Sequence, residues 1–260
     1  MDIGNIPELS RRMEAVAGMV TPQTGTVADV GCDHAYVSIA LVKRELCRRV
    51  IAMDVRTGPL QIARNNILNY GESERILLRQ SDGLTGLAPG EADSVILAGM
   101  GGLLITRILK DGMEILTGEQ APALILQPQS DIREVRLFLY QNGYHIIREQ
   151  MVFEDGKYYT VMLAERKTEV REASYTEIEL LYGRCGLQGK DPVLFAYLEW
   201  EQGVLEKILE KLKRQEELAG KLPQRAGERK QMLKQQLIRS REASDCFLSE
   251  QGDQAEKCFS

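Results

Sequence analysis

Val27-Ala28-Asp29-Val30-Gly31-Cys32-Asp33-His34-Ala35 reads as a strand that runs into a glycine-containing turn and then into a helix. Gly31 can bring backbone close to a ligand, and amides at the start of the following helix can receive a carboxylate or another anion. The stretch lacks the spaced glycines of a GxGxxG fingerprint, which argues against a standard dinucleotide pyrophosphate site.

Outward from this turn, apolar runs alternate with helix-like segments at the spacing of βα units. Strands are expected at Val27–Val30, Val50–Asp54, Ile76–Arg79, Ser94–Ala98 and Ala123–Gln127. Helices are expected at Tyr36–Leu46, Pro59–Asn69, Gly102–Asp111 and Asp131–Gln141. Continuous apolar strands such as Val95–Ala98 suit a sheet covered on both faces. The expected class is therefore α/β, a doubly wound Rossmann-like sheet. Two late strands, Tyr144–Met151 and Tyr158–Arg166, are separated by Phe153–Lys157, where Asp155-Gly156 supplies a tight hairpin turn.

The ends of successive strands carry the candidate site. Asp54 closes the second strand, where a carboxylate can accept both ribose hydroxyls of a nucleoside. Ser81-Asp82-Gly83 follows the third, and Asp82 can accept the exocyclic amine of an adenine while nearby backbone approaches its ring. Asp and Gly also collect in loops as turn formers. Their order, Gly31 then Asp54 then Asp82 at consecutive strand ends, describes one nucleoside cofactor.

Strand four ends in Leu97-Ala98-Gly99-Met100-Gly101-Gly102, with almost no side-chain bulk except Met100. Such a floor admits a planar base and offers backbone carbonyls to its amine; a flexible turn is the plainer reading. Gln127-Pro128-Gln129 closes strand five and can add amide groups to the same mouth, or simply mark a turn at Pro128. His34 sits in the cofactor loop, where it can serve the chemistry, cap the helix or position Asp33, whereas His145 enters a strand and reads as structural.

After Arg166 the composition becomes densely charged. Pro192 opens a long helical stretch with Leu194, Leu198, Leu205, Ile208 or Leu209, and Leu212 on one stripe, interrupted at Lys221-Leu222-Pro223. Arg225–Ala243 resumes it with Met232, Leu233, Leu237 and Ile238. Two such helices can close as an antiparallel hairpin. The expected division is a first domain over residues 1–166, a helical hairpin over 167–245 and a frayed polar tail from 246 to 260. A monomer is expected, with a dimer through the hairpin as the alternative.

Composition narrows the setting. No stretch approaches the eighteen or so apolar residues needed to cross a bilayer, and the chain opens Met1-Asp2 without a basic, apolar leader, so no membrane partner and a cytoplasmic location are expected. Five cysteines without a CxxC pair suggest reduced thiols and no metal site. The net charge of -5 lowers the expectation of a nucleic-acid partner without removing it, because binding answers to local clusters.

Leu9-Ser10-Arg11-Arg12-Met13, ADVGCDHAYVSIALV from Ala28, DVRTGPLQIA from Asp54, SDGL from Ser81, LAGMGG from Leu97 and LQPQ from Leu126 together resemble the bacterial tRNA (adenine-N1)-methyltransferases that modify adenosine 22. The likeness covers essentially residues 6–240, hairpin included. It implies a class I S-adenosylmethionine-dependent methyltransferase domain with a C-terminal coiled-coil-like helical hairpin, S-adenosyl-L-methionine as cofactor and tRNA as partner. Gly31, Cys32, Asp33, Asp54, Val55, Ser81, Asp82, Gly83, Gly99 and Met100 would surround the cofactor; Arg11, Arg12, His34, Tyr36, Gln127 and Gln129 would face tRNA or its target base. Cys32 and Gln129 stand where the family more often carries Ser and Asn.

The implied reaction needs neither metal nor covalent intermediate, since adenine N1 has an in-plane lone pair for direct displacement. Asp33, His34, Gly99, Gly101 and Gln129 are the candidate catalytic groups, and either Asp33 or carbonyls near Gly99–Gly101 can stabilise the charge that develops on the base. Hairpin cations from Lys207 to Arg241 are candidate phosphate contacts, interspersed with glutamates that make a plain solvated helix pair the other reading. A small-metabolite methyltransferase, a nicotinamide oxidoreductase and a noncatalytic RNA-binding module are the competing classes.

Overall fold

A computed structural model describes residues 6–118, 120–167 and 174–248. The chain divides into two compact units, Met1–Glu172 and Ala173–Ser260. Among the described residues, no helix is long and apolar enough to cross a membrane.

The first unit begins with helix α1 (Arg11–Ala17), which the sequence pattern did not suggest because it is only seven residues long. Ser10 caps it by accepting from the Met13 amide. Then follow β1 (Thr24–Val30), α2 (Tyr36–Lys43), β2 (Cys47–Asp54), α3 (Thr57–Asn69), β3 (Ile76–Gln80), β4 (Ser94–Met100), α4 (Gly102–Asp111) and the short α5 (Met113–Leu116). The unit closes with β5 (Ala123–Pro128), α6 (Ile132–Gln141), β6 (Tyr144–Glu154) and β7 (Lys157–Arg166). Helix α2 stops three residues before the expected end, and β2 starts three residues earlier than expected, at Cys47.

The seven strands form one sheet in the order β3-β2-β1-β4-β5-β7-β6. β1 to β5 are parallel; β7 runs antiparallel to β5, and β6 antiparallel to β7. α1, α2 and α3 pack on one face, α4 and α6 on the other. The fully buried β1 and β4 cores, Val27 to Val30 and Ser94 to Leu97, are the continuous runs such a two-sided burial requires. α2 is buried from Ser38 to Val42, whereas α4 buries only Ile105, Ile108 and Leu109 beside Gly102, at helical spacing.

The β6–β7 hairpin is tighter than the sequence suggests: Glu154 pairs with Lys157, leaving Asp155 and Gly156 alone in the turn. Both have positive φ, 50° and 75°, the combination of a type I′ turn. Beneath it, Arg136 on α6 reaches Glu149 on β6 with Nε at 2.9 Å and Nη2 at 2.7 Å, and both side chains are almost wholly buried.

The second unit is helical: α7 (Glu177–Tyr182), α8 (Arg184–Gln188), α9 (Pro192–Ala219) and α10 (Gln224–Leu248). Thr176 and Glu179 make a reciprocal capping box on α7, and Asp191 caps α9 ahead of Pro192. Gly220, with φ of 72°, ends α9. Gln202 bonds Ser244, Glu206 bonds Arg241 and Glu216 bonds Lys230, so the two long helices run antiparallel. Leu194, Leu198 and Leu205 are buried as expected. Met232, 66% exposed, and Ile238 are not; the inward face of α10 uses Ser240, Ala243 and Cys246 instead. α10 also continues to Leu248, past the expected start of the tail at residue 246; residues 249–260 lie outside the described residues.

Replacing Arg136 with Met removes the guanidinium that donates to the buried Glu149 carboxylate. The expected loss is about 3–5 kcal/mol of unfolding free energy, measured by urea denaturation followed by circular dichroism.

Candidate active site

A cleft of about 750 Å³ opens at the carboxyl ends of the parallel strands. It sits where strand order reverses, since β1 lies between β2 and β4. The turn after β1, the end of β2, the loop after β3, the end of β4 and Gln129 after β5 line it, and Glu8 to Ser10, Arg12 and Met13 close one side.

Gly31 has φ of +77°, and a Cβ there would stand 2.2 Å from Met100 Cε. The positive φ favours glycine, while the Met100 methyl, the end of a flexible side chain, could yield to a Cβ. The Gly31 and Cys32 amides both donate to the Met53 carbonyl, at 2.8 and 2.9 Å, and so pin the end of β1 to β2. The Cys32 thiol is pushed up in pKa by burial and by the carboxylates of Asp29 and Asp54, so it is a neutral packing group. Asp33, at φ of 50°, keeps an exposed carboxylate whose Oδ1 is 3.7 Å from His34 Nε2. The His34 ring meets Tyr36 edge-on at 6.1 Å, and all three residues line the cleft.

Two carboxylates lie deeper. Asp54 is buried and oriented by the Arg56 amide, which donates to Oδ1 at 2.8 Å. Val55 beside it is exposed toward the cleft. Asp29, which strand reading did not single out, is only 5% exposed and accepts from Ser38 Oγ at 2.6 Å. Burial raises its pKa to about 6, with Asp54 adding to the rise and the Ser38 hydrogen bond opposing it. In the sequence Asp29 stands only as an acid between Ala28 and Val30, which does not by itself mark a site.

The loop after β3 is braced from within. Ser81 Oγ donates to Gly83 O at 3.1 Å and accepts from the Gly86 amide at 2.9 Å, so Ser81 shapes the loop while lining the cleft. Arg79 grips Glu91 through two hydrogen bonds at 2.8 and 2.6 Å, which holds the Glu91 carboxyl down to about 2. Asp82 is left exposed at the rim, and Gly83 has φ of +59° with Ile108 packed against it.

At the end of β4 the register with β5 shifts between Ala98 and Met100, making Gly99 a bulge with φ of +75°. The Met100 carbonyl receives the Gln129 amide at 2.8 Å, and Gly101 forms the N-cap of α4. Gly101 does not itself line the cleft, whereas Gly99, Met100 and Gln129 do. Gln127 corrects the expectation of a base contact: it is fully buried and lies outside the lining, bonded to Arg12, Gly99 and Pro128. Arg12 lines the cleft; Arg11 is exposed and lies away from it. Glu8 and Arg107 also reach the cleft and were not legible as site residues, because neither stands at a strand end.

A crevice of this size at the reversal point, floored by glycines and flanked by two buried carboxylates, is that of a methyltransferase domain, and the family model described as a methyltransferase domain matches residues 9–162. The tRNA (adenine(22)-N(1))-methyltransferase of Bacillus subtilis is 39% identical over 176 residues, 68% of this chain and 72% of that protein. A Streptococcus pneumoniae candidate tRNA (m1A22) methyltransferase, in complex with S-adenosyl-L-methionine, is 29% identical with a TM-score of 0.77 over 91% of this chain and 100% of that one. Mycoplasma capricolum TrmK in complex with S-adenosyl-homocysteine is 25% identical with a TM-score of 0.75, covering 92% and 99%. The chain belongs to the bacterial tRNA (m1A22) methyltransferase family.

Asp29 gives a stability prediction. Its folded pKa of about 6 lies above the usual 3.8, so the native state binds this proton more tightly than the unfolded chain. Stability is therefore lost as pH rises from about 4 through 6, and the loss persists above that. In the ligand-free protein, Asp29→Asn should remove this component, so that the variant gains on the wild type by about 2 kcal/mol between pH 4 and pH 7.5. Denaturation curves at several pH values check it; parallel curves for the two proteins would show that Asp29 is not desolvated.

Proposed function

We propose that this protein transfers the methyl group of S-adenosyl-L-methionine to N1 of adenine 22 in tRNA. The observation that carries the reading is the pair of buried carboxylates, Asp29 and Asp54, at the reversal point of the sheet, in a chain of the m1A22 family. The cleft fits the cofactor: its volume lies in the small-ligand range, and its walls combine acids with apolar surface. Asp54 would accept the ribose hydroxyls, Val55 would lie against the adenine ring and Asp82 would accept its amine. Asp29, anionic at pH 7.5, suits the cationic methionine end, with Gly31, Gly83, Gly99 and Met100 as close walls.

When bound, S-adenosylmethionine supplies an electrophilic methyl group, which adenine N1 takes by in-line displacement. The protein's part is placement and charge. Arg12, His34, Tyr36 and Gln129 line the same cleft and would orient the target base. Asp33, exposed at the mouth, would face the positive charge that methylation leaves on the ring. Arg11, on the outer surface, suits a phosphate. We place this reaction in the cytoplasm.

The hairpin unit, residues 167–245 by composition and from Ala173 by compactness, would hold the tRNA body. Several of its cations are paired within the unit, among them Arg214 with Glu210, Lys230 with Glu216 and Arg241 with Glu206. Among the described residues, Lys207, Lys211, Lys221, Arg225, Arg229 and Lys234 have no acidic partner within ion-pair distance and remain for phosphates.

Incubation of unmodified bacterial tRNAs with radiolabelled cofactor, followed by nucleoside analysis and mapping, should give N1-methyladenosine at position 22. Label at another position, or only in a metabolite, overturns the substrate assignment. Asp54→Ala should weaken cofactor binding about tenfold or more by calorimetry while leaving tRNA affinity unchanged. Reversing Lys211 and Lys234 to Glu should raise the KM for tRNA and flatten its dependence on log salt by about 1–2 units, with cofactor affinity unaltered.

A further inference from the structure

Gln127 is a fully buried polar side chain at the end of β5, following the buried Ile125 and Leu126. A leucine or methionine would fill the same volume at no cost in polar desolvation, so the carboxamide calls for a partner set. It has one. Oε1 accepts from the Gly99 amide at 3.1 Å and from Arg12 Nη1 at 2.7 Å, while Nε2 donates to the Pro128 carbonyl at 3.1 Å. The opposite amide orientation would set donors against donors.

We infer that Gln127 is a positioning residue for methyl transfer, holding the Ala98–Gly99 peptide and the Arg12 guanidinium in one fixed relation beside the reacting groups. Gly99 is the bulge of β4, in left-handed backbone. Because the peptide is planar and trans, tying the Gly99 N–H to Gln127 turns the Ala98 carbonyl away from β5. On that side β1 has already ended, with Val30 opposite Leu97, and Ala98 lines the cleft. That carbonyl is therefore set to accept from the exocyclic amine of an incoming base. Arg12 is held at the same time by Gln127, by the Tyr159 ring 5.2 Å below it and by Glu154 at 3.8 Å. One oxygen thus joins α1, β4 and β5 at the mouth.

The inference rests on the proposed reaction for its consequence in rate, but the hydrogen bond itself can be read without activity. In Gln127→Met both bonds to Oε1 are lost, and amide exchange at Gly99 should quicken about tenfold or more. The same variant should lose about 10–100-fold in kcat, with cofactor Kd within about threefold of wild type, since misplacement acts on the reacting geometry. Gln127→Glu keeps an acceptor for both donors and should recover most of the Gly99 protection and of kcat. Should Gln127→Met not fold, Gln127→Asn, a methylene too short to meet both donors, stands in for it against the Glu variant. A kcat within twofold of wild type, or a loss matched by lost cofactor affinity, overturns the positioning role. If the wild type modifies some other substrate, the proposed function fails alone, because the exchange measurement and the rate comparison on that substrate still decide the role of Gln127.

Discussion

The rest of the molecule depends on one topological constraint: strand order reverses between β1 and β4. Chain leaving β1 turns toward β2, chain leaving β4 turns toward β5, and the two connections diverge on opposite faces of the sheet. No helix can cover the gap between them, so a crevice is left at the carboxyl edge. The groups lining it mix acids, glycines and apolar side chains because they stand where the apolar sheet meets an uncovered edge.

That crevice is built with conformations and charges that stability alone would not select. Gly31, Gly83 and Gly99 all adopt positive φ around it, as do Asp33 and Ala35 in the turn after β1. Asp29 and Asp54 place two buried acids in the wall of the cleft, where burial and the neighbouring Asp54 raise the cost of ionising Asp29. Under the proposed function a cationic ligand would offset that repulsion, which gives a reason for an acid between Ala28 and Val30 in β1. The loops are rigid for separate reasons: Ser81 and the Arg79–Glu91 pair tie the loop after β3, and Gln127 ties the bulge of β4.

The helical unit follows a different rule. Its long helices share an apolar stripe only along part of their length, and elsewhere polar hydrogen bonds join them. Glu201, nearly buried, accepts from Tyr182 at 2.8 Å, Tyr197 at 3.0 Å and Gln236 at 2.9 Å. Such a network fixes the pairing of particular residues more sharply than leucine contacts do. It also explains why hydrophobic spacing misjudged α10: Met232 and Ile238 follow a helical period but face solvent, while Ser240 and Ala243 occupy the interface.

The sequence by itself determined the alternation of strands and helices, the two-residue turn at Asp155-Gly156, the strand ends that carry Gly31, Asp54 and Asp82, and the helical character of the C-terminal unit. These are local properties, written in periodicity and turn chemistry. Residues such as Asp29, Glu8 and Arg107, and the true place of Gln127, were decided only by tertiary structure. Whether a polar side chain faces a ligand or a buried backbone amide depends on which distant segment packs against it. Arg12 and Gln127 are 115 residues apart in the chain, and only the packing of α1 on the sheet brings the one to the oxygen of the other.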